Sequence, residues 1–243
     1  MKLGVVITMY DESDVVLQSI KNLKNTYNNV TIVVVHSDNN GNNNSIHEII
    51  IRADQYFKLE DLSSGSNQYT IASKAMTRNY STGFVALKKS GKFDIVMGIT
   101  GDTLINTPYN LQKYYNTVIN NKQLGGYVLR AIGQNFHSHD SDPENGKEGG
   151  RPQTYDNCDI MPQFFIFDGK LLDNNLFCDI KITNKYTSEQ CLGDNILEIM
   201  NKLGNKKFTD HITILNKPHN YAYGFNDGIL LQTKGLGHTR KNL

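Results

Sequence analysis

Three apolar runs constrain this chain more than any other feature: LGVVITM at 3–9, VTIVVV at 30–35 and FDIVMGI at 93–99. Each is rich in β-branched residues and reads as a strand. Four weaker runs, at 54–59, 125–132 (GGYVLRAI), 163–167 (QFFIF) and 210–215, read the same way. Between them lie segments of helical period. Val16, Ile20 and Leu23 fall on one face of a helix over 13–25, which Asp11 or Ser13 can cap. Ala72, Ala75, Met76, Phe84 and Leu87 mark a second helix over 70–90. Pro108 opens a third, with Leu111, Tyr115 and Val118, over 108–121. Leu192, Ile196, Ile199 and Leu203 form the stripe of a fourth over 191–203. The first half alternates strand and helix. That order predicts an α/β fold, a mostly parallel central sheet with helices on both faces.

The chain has 243 residues, enough for one α/β domain that buries about 70% of its unfolded surface. No internal repeat or domain linker breaks it, so a single domain over 1–243 is expected. Its formal charge of +1 offers no broad field for nucleic acid or a membrane surface. No apolar run reaches membrane length, and LGVVITMY after Lys2 is too short for a secretory signal. Cys158, Cys178 and Cys191 match no zinc spacing and read as reduced thiols of a cytoplasmic protein. Asparagine is abundant, with NNGNNN at 39–44, which fits an AT-rich genome such as that of a large DNA virus, whose protein would work in the host cytoplasm.

Ligands of open α/β sheets sit beyond the carboxyl ends of the strands. The first strand ends in Thr8, Tyr10 and Asp11, the second in His36, Ser37 and Asp38, and the run at 93–99 in Thr100-Gly101-Asp102. Each carboxylate also has a plain structural role: Asp11 as a helix cap, Asp38 in an Asx-turn, Asp102 as a turn cap. Three at one edge point to a ligand. The stretch 133–157 is polar, Gly-rich and aperiodic, and reads as a long loop and candidate lid. It holds a literal Asp-x-Asp, Asp140-Ser141-Asp142, that follows no buried strand and reads as a surface run.

Taken in order, these segments resemble GT-A-fold glycosyltransferases, nucleotide-diphospho-sugar transferases of the family-2 type. VVITMYDESDVVLQSIKNL resembles their opening strand and helix, and VTIVVVHSDNN their second strand. ASKAMTRNYSTGFVALKKSGKFDIVMGITGDTLI resembles the helix with Arg-Asn before Gly, here Arg78, Asn79 and Gly83, followed by a strand ending in Asp-x-Asp. The resemblance covers about 3–107, and more loosely 160–203. It departs from the pattern at Thr100, which fills the first Asp slot.

The resemblance implies transfer of a sugar from a nucleotide-sugar donor, a UDP-sugar by preference, to the hydroxyl of a glycan or other acceptor, probed first as a hexosyl transfer with inversion. Residues 1–107 would form the nucleotide half and 108–243 the acceptor half. Thr8, Tyr10, Asp11 and Asp38 would meet the base and ribose. Arg78 or Lys74 would reach the diphosphate, Arg through its bidentate fork; both also suit a solvated helix face. Thr100 and Gly101 would line the donor. Asp102 would hold Mn²⁺ or Mg²⁺, hard cations that take carboxylate oxygen, and His238 in GLGHTRK would be an extra ligand or simply part of a basic tail. The general base would be Asp194, from Asp-x-x-Leu near the start of the last helix, or Glu189; either also suits a cap. His211 is a weaker metal candidate. DIMPQFFIFDGKLL resembles the strand and short helix between donor and acceptor sites, with Asp168 a turn residue.

Two other functions share these features. A sugar-phosphate nucleotidyltransferase needs a Gly-rich basic loop after the first strand, and TMYDESD has neither Gly nor Lys. A non-catalytic nucleotide- or sugar-binding module would tolerate Thr100 and an imperfect base. No G-x-G-x-x-G, P-loop or nucleophile elbow is present.

Overall fold

The computed structural model describes residues 1–10, 12–38, 44–60, 68–106, 108, 111–112, 116, 128–130, 164–182, 188–204, 212–214 and 230–232. Strand β1 (Leu3–Met9) is buried along its whole length. It pairs in parallel with β2 (Val30–Asp38) on one side and β4 (Ile95–Thr100) on the other. β2 pairs in parallel with β3 (Gln55–Glu60). β7 (Phe164–Asp168) runs antiparallel to β4 and to β6 (Val128–Arg130), and β8 (Ile212–Ile214) lies parallel to β6. The seven-stranded order is β3-β2-β1-β4-β7-β6-β8. β5 (Thr103–Ile105) and β9 (Leu230–Gln232) form a separate antiparallel pair. The α/β architecture with a mostly parallel sheet is the one expected from the strand–helix alternation.

The period-2 alternation of the strands sorts the core into two layers. Leu3, Val5, Ile7 and Met9 face one side with Ile32, Val34, Ile95, Met97 and Ile99, and α1 (Ser13–Thr26) covers them through Val16, Ile20 and Leu23. Val6, Val33, Val35 and Val96 face the other side, under α3 (Gln68–Lys89), α4 (Gly169–Asp173) and α5 (Ser188–Lys202). α3 lies close to the sheet because Gly83 has no side chain: a Cβ there would stand 2.3 Å from Val6 Cγ1. Tyr80, Phe84, Phe165, Phe167 and Phe177 fill this layer, with ring centroids 4.9–6.4 Å apart. None of the described helices is long and apolar enough to cross a membrane.

Several local expectations are corrected. β2 runs three residues beyond the apolar stretch 30–35, because pairing with β3 continues to Asp38↔Glu60. Helix α2 (Ile46–Arg52) and strands β5 and β9 were not anticipated. Glu12, rather than Asp11 or Ser13, holds the N-cap position of α1. Leu203 lies just past α5 and is exposed, so the apolar stripe ends with Ile199 and Met200. Of the expected helix 108–121, only residues 108, 111, 112 and 116 are described, and Leu111 is buried. The polar loop 133–157 lies outside the described residues.

Candidate functional site

The carboxyl ends of β1, β2, β3 and β4 share one edge of the sheet. The register fixes this: Thr8 lies opposite both Val35 and Thr100, and Asp38 opposite Glu60. Between β4 and β5 the chain turns through Gly101 and Asp102. The Gly101 N–H donates to the Thr8 carbonyl at 2.7 Å, which ties the turn to the end of β1. The Thr100 hydroxyl donates to Asp102 Oδ1 at 2.5 Å and lies 3.3 Å from the Thr103 hydroxyl. Thr100 thus gives Asp102 an orienting donor, and one oxygen of a half-exposed carboxylate is held in place just past the end of β4.

Thr8 is buried, and its hydroxyl reaches the Ile99 carbonyl at 3.5 Å. It also hydrogen-bonds the Tyr80 hydroxyl, which comes from α3. Burial pushes the Tyr80 phenol well above its ordinary range, and the Asp102 charge adds to that rise. Tyr80 therefore stays a neutral phenol beside Thr8.

The end of β2 is organised differently from the sequence expectation. His36 and Ser37 are buried rather than presented to a ligand. His36 Nδ1 lies 2.7 Å from the Tyr56 hydroxyl, and Nε2 lies 3.1 Å from the Tyr10 carbonyl. His36 therefore fixes the backbone of Tyr10. Asn79 Nδ2 donates to Ser37 Oγ at 2.9 Å, and Arg78 Nη2 donates to Ser37 Oγ at 3.3 Å and to the Glu60 carbonyl at 2.8 Å. Arg78 thus binds the ends of β2 and β3, while Asp102 follows β4, two strands from β2 in the sheet. Lys74 lies one turn earlier on α3 and is half-exposed. Asp38 is placed by its backbone at the end of β2.

Asp194 is not at the start of its helix. α5 begins at Ser188, six residues earlier, about 9 Å along the axis. The helix dipole acts only within the first turn, so it favours a carboxylate at the position of Glu189, not at Asp194. Asp194 is half-exposed, and its neighbour Asn195 anchors the helix: Asn195 Oδ1 accepts the Phe177 N–H at 2.7 Å and Nδ2 donates to the Asp179 carbonyl at 3.1 Å. Phe177 needs that anchor, because its backbone sits in the left-handed region at φ 62°. Asp168 is the N-cap of α4, accepting the Lys170 N–H at 2.8 Å. Asp11, His211, His238 and Asp140–Asp142 lie outside the described residues.

Glu12 was missed. It is buried, its Oε2 accepts the Tyr10 N–H at 2.9 Å, and it lies against Gly101. Its place directly after TMYD was the available signal, but cap chemistry drew the reading to Asp11 and Ser13. Among the described residues, no group of three His, Cys, Asp or Glu side chains is arranged to hold a metal. A cation here would rest on Asp102 oxygen, with ligand phosphates and water completing its shell, a mode that suits Mg²⁺ and Mn²⁺.

No protein-family model matches the chain, and no curated protein matches it in sequence. Among solved structures it is similar to TarS of S. aureus, at 12% identity and a TM-score of 0.48, over 96% of this chain and 37% of that one. TarS 1–349 in complex with UDP is similar at 15% identity and 0.48, over 90% of this chain and 59% of that one. Glucosyl-3-phosphoglycerate synthase from Mycobacterium tuberculosis, crystallised with Mn²⁺, UDP and glucosyl-3-phosphoglycerate, is similar at 12% identity and 0.48, over 89% and 73% of the two chains. The chain thus spans less than two thirds of either TarS chain.

Proposed function

We propose that this chain is a GT-A-type glycosyltransferase that moves a sugar from a nucleotide-sugar donor, a UDP-sugar first, to an acceptor hydroxyl with inversion. The observation that carries the reading is the Thr100–Asp102 turn. It sets one oriented carboxylate at the carboxyl ends of the central parallel strands β1 and β4, where ligands of such sheets bind. The donor set there is oxygen throughout, which fits Mn²⁺ or Mg²⁺ held by Asp102. Such a cation would supply Lewis-acid charge neutralisation for a diphosphate leaving group.

The chain's own residues divide the remaining work. Tyr10, Asp11 and Asp38 meet the base and ribose, with Thr8 bracing the floor beneath them. Lys74 is the freer of the two α3 cations to meet phosphate, since Arg78 already holds Ser37 and Glu60. Asp194 or Glu189 takes the proton of the acceptor hydroxyl as its oxygen attacks the anomeric carbon. His238 would be an extra ligand to the cation held by Asp102. In this reading residues 1–107 bind the nucleotide, and the rest binds the acceptor.

Calorimetry with UDP, GDP, TDP and CMP, with and without Mn²⁺, tests the reading on wild type and Asp102→Ala. Metal-dependent binding of one nucleotide, lost in the variant, is expected. Turnover of the matching donor should fall about 10²-fold or more in Asp102→Ala, the usual scale for losing a group that stabilises developing charge. A fall well under tenfold removes Asp102 from the chemistry. Nucleotide binding without any donor turnover in wild type would instead favour the non-catalytic module.

A further inference from the structure

Glu12 stands at the N-cap position of α1 yet makes no side-chain cap hydrogen bond. Helix capping therefore does not explain it. It is only 7% exposed, and burying a carboxylate is costly unless its oxygens find donors. Oε2 turns back on its own loop and accepts the Tyr10 N–H. The same oxygen covers Gly101. A Cβ at Gly101 would lie 2.8 Å from Glu12 Oε2, 3.3 Å from Glu12 Cβ and 3.3 Å from Met9 Cα. Gly101 shows no left-handed φ, so a side chain there would meet crowding rather than backbone strain: it would have to displace Glu12 Oε2 from its place and press on Glu12 Cβ and Met9 Cα. The Gly101 N–H meanwhile donates to the Thr8 carbonyl. One side chain thus touches the loop after β1 and the turn after β4.

We propose that Glu12 is a positioning residue that locks the Tyr10 loop against the Thr100–Asp102 turn, so that a nucleotide donor meets both at a fixed separation. The ligand in this statement rests on the glycosyltransferase reading; the lock itself belongs to the free protein. Its chemistry sets a ranking of substitutions. Gln keeps the length and an oxygen acceptor for the Tyr10 N–H. Ala removes both the acceptor and the surface that covers Gly101.

Amide hydrogen exchange on the free protein tests the lock in wild type, Glu12→Gln and Glu12→Ala. In Glu12→Ala the Tyr10 and Gly101 amides should exchange about tenfold faster, the scale of one lost hydrogen bond. In Glu12→Gln they should stay within about twofold of wild type, and the Val5 and Val6 amides inside β1 should be unchanged in both. Unchanged Tyr10 and Gly101 amides in Glu12→Ala would overturn the lock. So would an equal rise at Val5 and Val6, which marks loss of global stability instead. A double-mutant cycle adds an independent check: Gly101→Ala should destabilise less in the Glu12→Ala background, and additive effects would rule out the contact.

The functional half is read by calorimetry with UDP and Mn²⁺. Glu12→Ala should bind about tenfold more weakly, with Glu12→Gln restoring wild-type affinity. Wild-type affinity in Glu12→Ala would refute the positioning of the donor even where the lock stands. If wild type binds no nucleotide, the glycosyltransferase reading falls, and the exchange experiment still decides the lock.

Discussion

Tyr80 has its ring in one environment and its hydroxyl in another. The ring stacks on Phe84 at 5.8 Å and tilts against Phe165 at 5.0 Å, deep in the layer beneath α3. The hydroxyl emerges at Thr8, close enough to Asp102 to feel its charge. Tyr80→Phe keeps the ring and removes the hydroxyl with its hydrogen bond to Thr8. It should cost about 1 kcal/mol of unfolding free energy by urea denaturation, the net worth of one buried hydrogen bond. A variant as stable as wild type would show that the hydroxyl is not engaged. Nothing in the sequence marked this tyrosine. Helical period identified Phe84 and Leu87 as inward, but period reports which face a residue occupies, not how far its polar tip reaches. The same limit hid Glu12. The places of Thr8 near the end of β1, and of Tyr10 and Asp102 just past β1 and β4, were legible because strand ends need only a pattern of 2. Arg78 was read as a phosphate contact, alternatively with Lys74, or as part of a solvated helix face; its partners Ser37 and the Glu60 carbonyl could not be foreseen, because they become neighbours only when β2, β3 and α3 assemble.

Elements with strong, uniform patterns were legible, and short ones were not. β1, α1, α3 and β4 each bury several consecutive or periodic apolar residues. α2 instead buries only Ile49 and exposes Ile50 and Ile51, so its IHEIIIR stretch carries no helical stripe. Its Glu48 pairs with Lys21 of α1 and Arg52 of its own helix. β5 and β9 are three residues each and exist only by pairing with one another. α4 shows how a short element is held by its cap. Burial raises the Asp168 carboxyl above its ordinary range, although the Lys170 N–H and charge oppose that rise. A raised carboxylate pKa in the folded state means this group stabilises the fold when protonated. That contribution is present below the unfolded value and is lost as pH climbs through the folded one. Asparagine caps equally well and never ionises. Asp168→Asn should therefore be more stable than wild type at pH 7, with the gap closing as pH falls into the carboxylate range. Thermal unfolding at pH 7 and pH 4 checks this, and an equal effect at both would break the link to ionisation.

At the scale of the molecule, the site depends on segments far apart in sequence meeting at one edge. β5 carries the chain away from Asp102 and is gripped from two sides. On one, α1 holds it: Ser19 Oγ accepts the Ile105 N–H at 3.1 Å, and Asn22 Nδ2 donates to the Ile105 carbonyl at 2.7 Å. On the other, β9 pairs with it from Thr103↔Gln232 to Ile105↔Leu230. The seven-stranded sheet contains neither strand, so removing β9 leaves the sheet's own ladders intact while freeing one edge of the strand that follows Asp102. A chain ended after Gly228 should keep its helix and strand content by circular dichroism and melt at a lower temperature. Its Mn²⁺-dependent UDP affinity should fall about tenfold or more, because holding a binding group in its productive geometry is what such support contributes. Full affinity in the shortened chain would mean that α1 alone positions the Asp102 turn. Reduced affinity that His238→Ala in the full chain reproduces would assign the loss to that histidine. Reduced affinity reproduced neither by His238→Ala nor by a full chain with Lys234, Arg240 and Lys241 changed to Ala would assign it to the β5–β9 pairing.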